Sequence, residues 1–312
     1  MERRIERRRI VFMGTPEFAV PSLAELDKTF DIPLVITQPD KPAGRKQRVA
    51  PSAIKVMAEL LGIPVFQPES AKNGLLLKSL KQINPDLVVV VAYGKLIPHD
   101  VLALPKYGVL NLHPSLLPKY RGPSPIQSAI LNNEKKTGIS IMLLDNEMDH
   151  GPILYQKDVI IETTDNAGTL HDKLSNLGAS VFPTVINDFI SDELRPYEQN
   201  HSEATFCKLL TKDDGKIDPA SPVEQIHNQI RALTPWPGSF FLWRKKRMII
   251  HQSAIGKNTV TEDVGELFLK DQKLFLQCSN GTLEIIQLQV EGKKTMGVRE
   301  FIRGNHKMFS SE

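Results

Sequence analysis

Residues 86–94 read DLVVVVAYG, and every position from Leu87 to Val91 is apolar. A strand with one face in water alternates apolar and polar side chains, so an unbroken run of this length has to be covered on both faces. Shorter runs of the same kind recur at 9–14 (RIVFMG), 32–37 (IPLVIT), 64–66 (PVF) and 108–113 (GVLNLH). Helix-like stretches separate them, at Glu17–Lys28, Ala53–Leu61 and around 73–82. Apolar strands alternating with helices predict a doubly wound, mostly parallel α/β sheet.

The pattern then changes. TGISIMLLD (137–145) and ILYQKDVII (153–161) read as an antiparallel pair, followed by a helix over roughly 166–190 and a polar stretch, 191–207, that reads as a linker. Past a helix at 222–233 and the breaker TPWPG, short strands recur at SFFLW, RMIIH, GELFL, KLFLQC and TLEIIQLQV. Short strands divided by Gly, Asn and Lys turns predict a small OB-like β-barrel. The expected organisation is a first domain over 1–190, a linker over 191–207 and a barrel domain over 208–312.

At 312 residues and 41% hydrophobic content the chain can bury a sizeable core. Its longest apolar run is far short of the roughly 20 residues of a membrane helix. The N-terminal MERRIERRRI mixes Glu with Arg and reads as a solvated charge run rather than a targeting segment. Cys207 and Cys278 are distant and form no C-x-x-C pair, as expected in a reducing cytoplasm. Net charge is +3, unevenly placed: residues 205–312 carry 16 Lys+Arg against 12 Asp+Glu, a weak hint of a polyanionic partner.

The first strand ends in GTPEF, with no G-x-G-x-x-G, and no G-K-[ST] occurs anywhere, so the nucleotide signatures of this fold class are missing. No metal is expected, because His99 and His113 lack helix-spaced ligand partners. A ligand must then be held by other loops at the carboxyl ends of the strands. Asn111 and His113, two apart in NLHPSLLPKYRG, share one face there. An Asn amide is a fixed donor and a His moves protons near neutral pH, a pairing suited to an oxyanion. Asp149, in the turn DNEMDHG before Gly151, supplies a carboxylate able to orient the imidazole. The blander readings are a strand-end histidine satisfied by backbone and an exposed turn aspartate.

Taken in order, GTPEFAVPSL, TQPDKPAGR, PDLVVVVAYG, NLHPSLLPKYRG, PIQSAI, TGISIM and MDHG resemble the folate-dependent formyltransferases over nearly the whole chain, most closely those acting on methionyl-tRNA. The resemblance implies the formyltransferase fold, 10-formyltetrahydrofolate as co-substrate and Asn111, His113 and Asp149 as the catalytic trio. It also implies a folate site near Tyr93, Gly94, Leu96 and Ile97, with Ser115, Leu116, Leu117, Pro118, Asp145 and Gly151. The implied acceptor is the α-amine of methionyl initiator tRNA. A chain of this kind is expected to act as a cytoplasmic monomer with no membrane partner.

The loop TQPDKPAGRKQRVAPS (37–52) carries Lys41, Arg45, Lys46 and Arg48 on a Pro/Gly-rich connection. It reads either as a solvated loop or as one that grips acceptor-stem phosphates, and the resemblance gives that role to Arg45 in particular. In the C-terminal part KLLTKDDGKID, RALTPWPGSF and VEGKKTMGVREFIRG resemble the tRNA-directed branch, with Arg244, Lys245, Lys246, Arg247, Lys293 and Lys294 as candidate backbone contacts. Pro219 stands after ID where that branch usually has Trp. Two alternatives stay open: a formyltransferase for a sugar-nucleotide or other small amine, and a folate- or tRNA-binding protein without catalysis.

Overall fold

The five apolar runs form strands as their composition requires: β1 (Arg9–Gly14), β2 (Asp31–Ile36), β5 (Val65–Phe66), β6 (Leu87–Val91) and β7 (Val109–His113). They were traced in a computed structural model that describes residues 7–43, 48–72, 74–256 and 262–305. A short antiparallel pair, β3 (Lys41–Ala43) and β4 (Arg48–Ala50), lies within the stretch expected to be loop. Strands β8 (Lys136–Leu143) and β9 (Ile153–Ile160) complete a seven-stranded sheet in the order β5-β2-β1-β6-β7-β8-β9. Pairing is parallel from β5 to β7 and antiparallel between β7 and β8.

Helices α1 (Val20–Thr29), α2 (Ala53–Leu60), α3 (Leu75–Ile83), α4 (His99–Leu102), α5 (Pro125–Leu131) and α6 (Ala167–Ile190) follow in chain order. The helix expected from Glu17 opens as a 3-10 turn over Glu17–Ala19, and α1 begins at Val20, with Pro21 in its first turn where a missing N–H costs nothing. One sheet face, with Val11, Met13, Ile36, Val88, Val90 and Val109, packs on Leu76 and Leu80 of α3. All five residues of β6 are buried, and each contributes on the order of 1.5–3 kcal/mol relative to exposure. On the other face Gly178 of α6 lies against Leu112, and Ser175 donates to the Phe18 carbonyl at 2.8 Å.

The chain divides into two compact units. The first holds Met1–Gly122, Thr137–Val159 and His171–Cys207; the second holds Pro123–Lys136, Ile160–Leu170 and Lys208–Glu312. The polar stretch 191–207 therefore belongs to the first unit, where Tyr197 and Ile153 exchange backbone hydrogen bonds at 2.8 and 2.9 Å.

The second unit contains α7 (Val223–Ala232), the strands β10 (Ser239–Trp243), β11 (Lys246–Ile255), β12 (Leu267–Lys270), β13 (Lys273–Gln277), β14 (Thr282–Val290) and β15 (Met296–Gly297), and α8 (Val298–Asn305). The strands run β10-β11-β14-β13-β12 with β15 on β14, an antiparallel, barrel-like sheet around Met248, Ile250, Leu274, Leu276, Ile285 and Leu288. Phe301 of α8 closes this core, edge-on to Trp243 at 5.5 Å.

Candidate active site

Parallel pairing sets β6 and β7 side by side with Val90 opposite Asn111, so the loop after β6 and the end of β7 adjoin at the carboxyl edge of the sheet. Asn111 and His113 alternate with Leu110 and Leu112 and share a face, as their spacing predicts. Both are buried, at 9% and 4% exposure. Among the described residues the Asn111 side-chain amide has no hydrogen-bond partner, which leaves it available to a ligand.

His113 Nε2 meets the Tyr120 carbonyl at 2.9 Å, and a carbonyl only accepts, so this nitrogen carries the proton. The second ring nitrogen is Nδ1. It faces Asp149 Oδ1 at 3.7 Å, beyond direct hydrogen-bond range. The imidazole is thus oriented by Tyr120 rather than by the aspartate. Tyr120 can turn its carbonyl inward because its φ is +61°, in the left-handed region, and its N–H is held by Thr205 Oγ1 at 2.9 Å.

Asp149 also sits in the left-handed region, at φ +50°, a conformation that Asp tolerates better than most residues. Its Oδ2 accepts from the Gly122 N–H at 2.7 Å. Gly122 has φ +114°, and a Cβ there would press on the Cys207 carbonyl, so only glycine brings that donor to the carboxylate. Gly151 is needed for the approach its position suggested: a Cβ would collide with the Leu143 carbonyl. Asp145 shapes the same turn, its Oδ1 accepting from the Glu147 N–H at 2.9 Å and its Oδ2 lying 2.7 Å from His150 Nδ1.

The residues expected around a folate separate into two groups. Gly94 and Leu96 are exposed after β6, and Ile97, Leu116, Pro118 and Asp145 are half-buried. Tyr93, Ser115, Leu117 and Gly151 are buried. Tyr93 belongs to the sheet core with its hydroxyl unpartnered among the described residues, and burial raises its phenol pKa. Ser115 commits its hydroxyl to the Lys119 carbonyl at 2.6 Å, and Leu117 packs on Met142 and Ile153. The loop after β6 therefore exposes backbone and the Leu96 side chain, while the other four are buried. Exposed Met148, beside Asp149, is a further apolar edge that the sequence did not single out.

The basic residues fall in two places. Lys41 is exposed on β3, its ammonium 2.5 Å from Gln38 Oε1, and Arg48 opens β4; Arg45 and Lys46 lie outside the described residues. In the second unit Arg244 and Lys245 form the tip of the β10–β11 hairpin, next to exposed Lys246. Arg247 ties this hairpin to the other basic pair: its backbone carbonyl accepts from the Glu291 N–H at 2.8 Å, two residues before Lys293 and Lys294. The six cations gather at one end of the sheet. Sequence reasoning missed Arg299 and Arg303, exposed one turn apart on α8, whose Phe301 packs against Trp243 just before the hairpin tip.

Among the described residues no group of three or more His, Cys, Asp or Glu side chains is disposed to hold a metal ion. The arrangement instead presents an amide donor, an imidazole with one free nitrogen and a carboxylate beyond it.

The family models "Formyl transferase" and "Formyl transferase, C-terminal domain" match residues 8–186 and 209–306. The chain is 44% identical over 300 residues to a methionyl-tRNA formyltransferase of Caldanaerobacter subterraneus subsp. tengcongensis, covering 96% of this chain and 97% of that one. Among solved structures, an N-formyltransferase from Helicobacter canadensis in complex with folinic acid and dTDP-3-aminofucose superposes with a TM-score of 0.68 at 23% identity, over 90% of this chain and 100% of that one. HypX from Aquifex aeolicus in complex with tetrahydrofolic acid superposes with a TM-score of 0.65 at 13% identity, over 98% of this chain and 49% of that one. These two show the fold alone. Family models spanning both parts of the chain, and a relative 44% identical over almost its whole length, place the chain in the methionyl-tRNA formyltransferase family.

Proposed function

We propose that the protein transfers the formyl group of 10-formyltetrahydrofolate to the α-amino group of methionyl initiator tRNA, giving N-formylmethionyl-tRNA for the start of translation in the cytoplasm. The observation that carries the reading is the His113 ring: Nε2 is committed to Tyr120, so Nδ1 alone is left to work, facing the Asp149 carboxylate across 3.7 Å. An N-formyl carbonyl is amide-like and a poor electrophile, so attack by the amine needs donors already in place for the developing oxyanion. Asn111 and protonated His113 supply them, each such donor being worth roughly 10²- to 10³-fold in rate. Asp149 stabilises the imidazolium and helps carry the proton from the attacking amine toward the folate nitrogen. Bound folate supplies the formyl carbon, held by the backbone after β6, the apolar edges of Leu96 and Ile97 and the turn 145–151.

For the acceptor, the loop with Lys41, Arg45, Lys46 and Arg48 guides the aminoacyl end inward, and the cationic end of the second unit binds tRNA backbone. No helix among the described residues is long and apolar enough to cross a membrane. The test measures transfer of labelled formyl to initiator methionyl-tRNA beside elongator methionyl-tRNA and an amino-sugar nucleotide. Formylation confined to the initiator is expected; formylation of the sugar nucleotide alone would overturn the acceptor. Asn111→Ala, His113→Ala and Asp149→Ala each lower turnover by at least about 10²-fold while sparing tRNA affinity. Unchanged turnover in any one of them removes that residue from the trio.

A further inference from the structure

The stretch 191–207, polar enough to read as a linker, reaches the backbone behind both His113 and Asp149. Gln199, 5% exposed, uses its whole amide there. Its Nε2 donates to the Asp149 carbonyl at 2.9 Å and the Gly151 carbonyl at 2.8 Å, one on either side of the turn that bears the carboxylate. Its Oε1 accepts from Arg121 Nε at 3.2 Å and Nη2 at 2.7 Å. Arg121 is itself buried, at 4% exposure, and among the described residues no carboxylate pairs with it. Its remaining hydrogen-bond partner is His201 Nδ1, at 2.8 Å, a lone pair that the arginine can use only while His201 is neutral. A buried cation whose Nε and Nη2 have only these two neutral acceptors disfavours the loss of either.

Farther along the same stretch, Thr205 holds the other side of the site. Its hydroxyl and carbonyl take the N–H groups of Tyr120 and Arg121, at 2.9 and 2.8 Å, and the Tyr120 carbonyl orients His113. Nothing in these contacts touches a reacting atom. They determine where two backbone segments in the left-handed region can sit.

We infer that Gln199 is a positioning residue for formyl transfer, clamping the 149–151 turn so that the Asp149 carboxylate stays across from His113 Nδ1. This deepens the proposed function and depends on the reading of Asp149 as a member of the trio. A displacement of about 1 Å at a reacting group can cost on the order of 10²-fold in rate. Loss of the clamp therefore falls on kcat and leaves substrate binding in place.

The variant of choice is Gln199→Glu. It keeps an acceptor for Arg121, and compensates its charge, but has no N–H for the carbonyls of Asp149 and Gly151. Steady-state formyl transfer from 10-formyltetrahydrofolate to initiator methionyl-tRNA is measured for Gln199→Glu, Asp149→Ala and the double variant. We expect kcat of Gln199→Glu to fall about 10- to 100-fold with both KM values within about threefold, and no further loss when the change is added to Asp149→Ala. A side chain needed only for folding would instead lower kcat by the same factor in both backgrounds. Gln199→Asn, neutral and one methylene short of the two carbonyls, gives the same separation of kcat from KM should the glutamate variant fail to fold. A kcat within about twofold of the parent in Gln199→Glu, or a full multiplicative loss in the double variant, overturns the inference while Asp149→Ala still impairs turnover. Undiminished turnover in Asp149→Ala overturns the reading of the trio and the inference with it.

Discussion

At the scale of single residues, the site is built from backbone conformations that few side chains accept. Asp149 and Tyr120 lie in the left-handed region, Gly122 delivers its N–H from φ +114°, and Gly151 passes against the Leu143 carbonyl. Gly151→Ala would force those segments apart, with an expected loss of about 1–3 kcal/mol in urea unfolding and a drop in kcat. Tyr93→Phe makes the opposite point. The hydroxyl is buried without a partner among the described residues, so its removal should leave stability unchanged or raise it by about 1 kcal/mol. The folate KM should not change; a clear rise would return the hydroxyl to the folate site. The parity of Asn111 and His113 was legible in the sequence because a strand repeats every two residues. The left-handed conformations were not, since Tyr carries no mark of φ and Asp only a mild preference, and neither was Gln199, whose partners are two backbone carbonyls and a distant arginine.

Among the elements, apolar runs announced β1, β2, β6 and β7 because strands buried on both faces are nearly continuous in apolar residues, Asn111 and His113 at the end of β7 being the buried exceptions. Helix α8 went unread: it is eight residues long, contains Gly304, and depends on the burial of Phe301. The β10–β11 hairpin shows what composition hides. Its two-residue tip, Arg244 and Lys245, has φ of +50° and +64°, the signs a type I′ turn needs and normally obtains from an Asn-Gly pair. Bulky residues pay roughly 1–2 kcal/mol each for that conformation. Installing the favoured pair is nonetheless not a neutral repair. Arg244→Asn with Lys245→Gly should stabilise the hairpin by about 1–2 kcal/mol, yet weaken tRNA binding and reduce its log–log salt slope by roughly 2. Unchanged tRNA binding in filter or titration assays would remove the tip from the interface.

On the scale of the whole molecule, both tryptophans, Trp236 and Trp243, lie in the second unit, so tryptophan fluorescence follows its unfolding. His227 in that unit has its pKa lowered to about 4, first by burial and then by the Arg231 charge. Its folded pKa lies below the ordinary value of about 6.5, so the unfolded chain takes up the proton first. The part of the second unit's stability that depends on His227 should be constant above about pH 6.5 and decline as pH falls toward about 4. Urea titrations of tryptophan fluorescence across that window should show the decline, and His227→Gln should flatten it.

The second unit is also discontinuous in sequence. Ile126, Ala129 and Ile130 of α5 are buried, and α5 packs with α7, which begins at Val223. On a ribosome extending the chain by roughly 5–20 residues per second, α5 emerges several seconds before its partner exists. Its apolar face must wait through that interval while the first unit folds, so nascent chains halted before Val223 display a patch that the finished protein hides, and holding chaperones should favour them over longer ones.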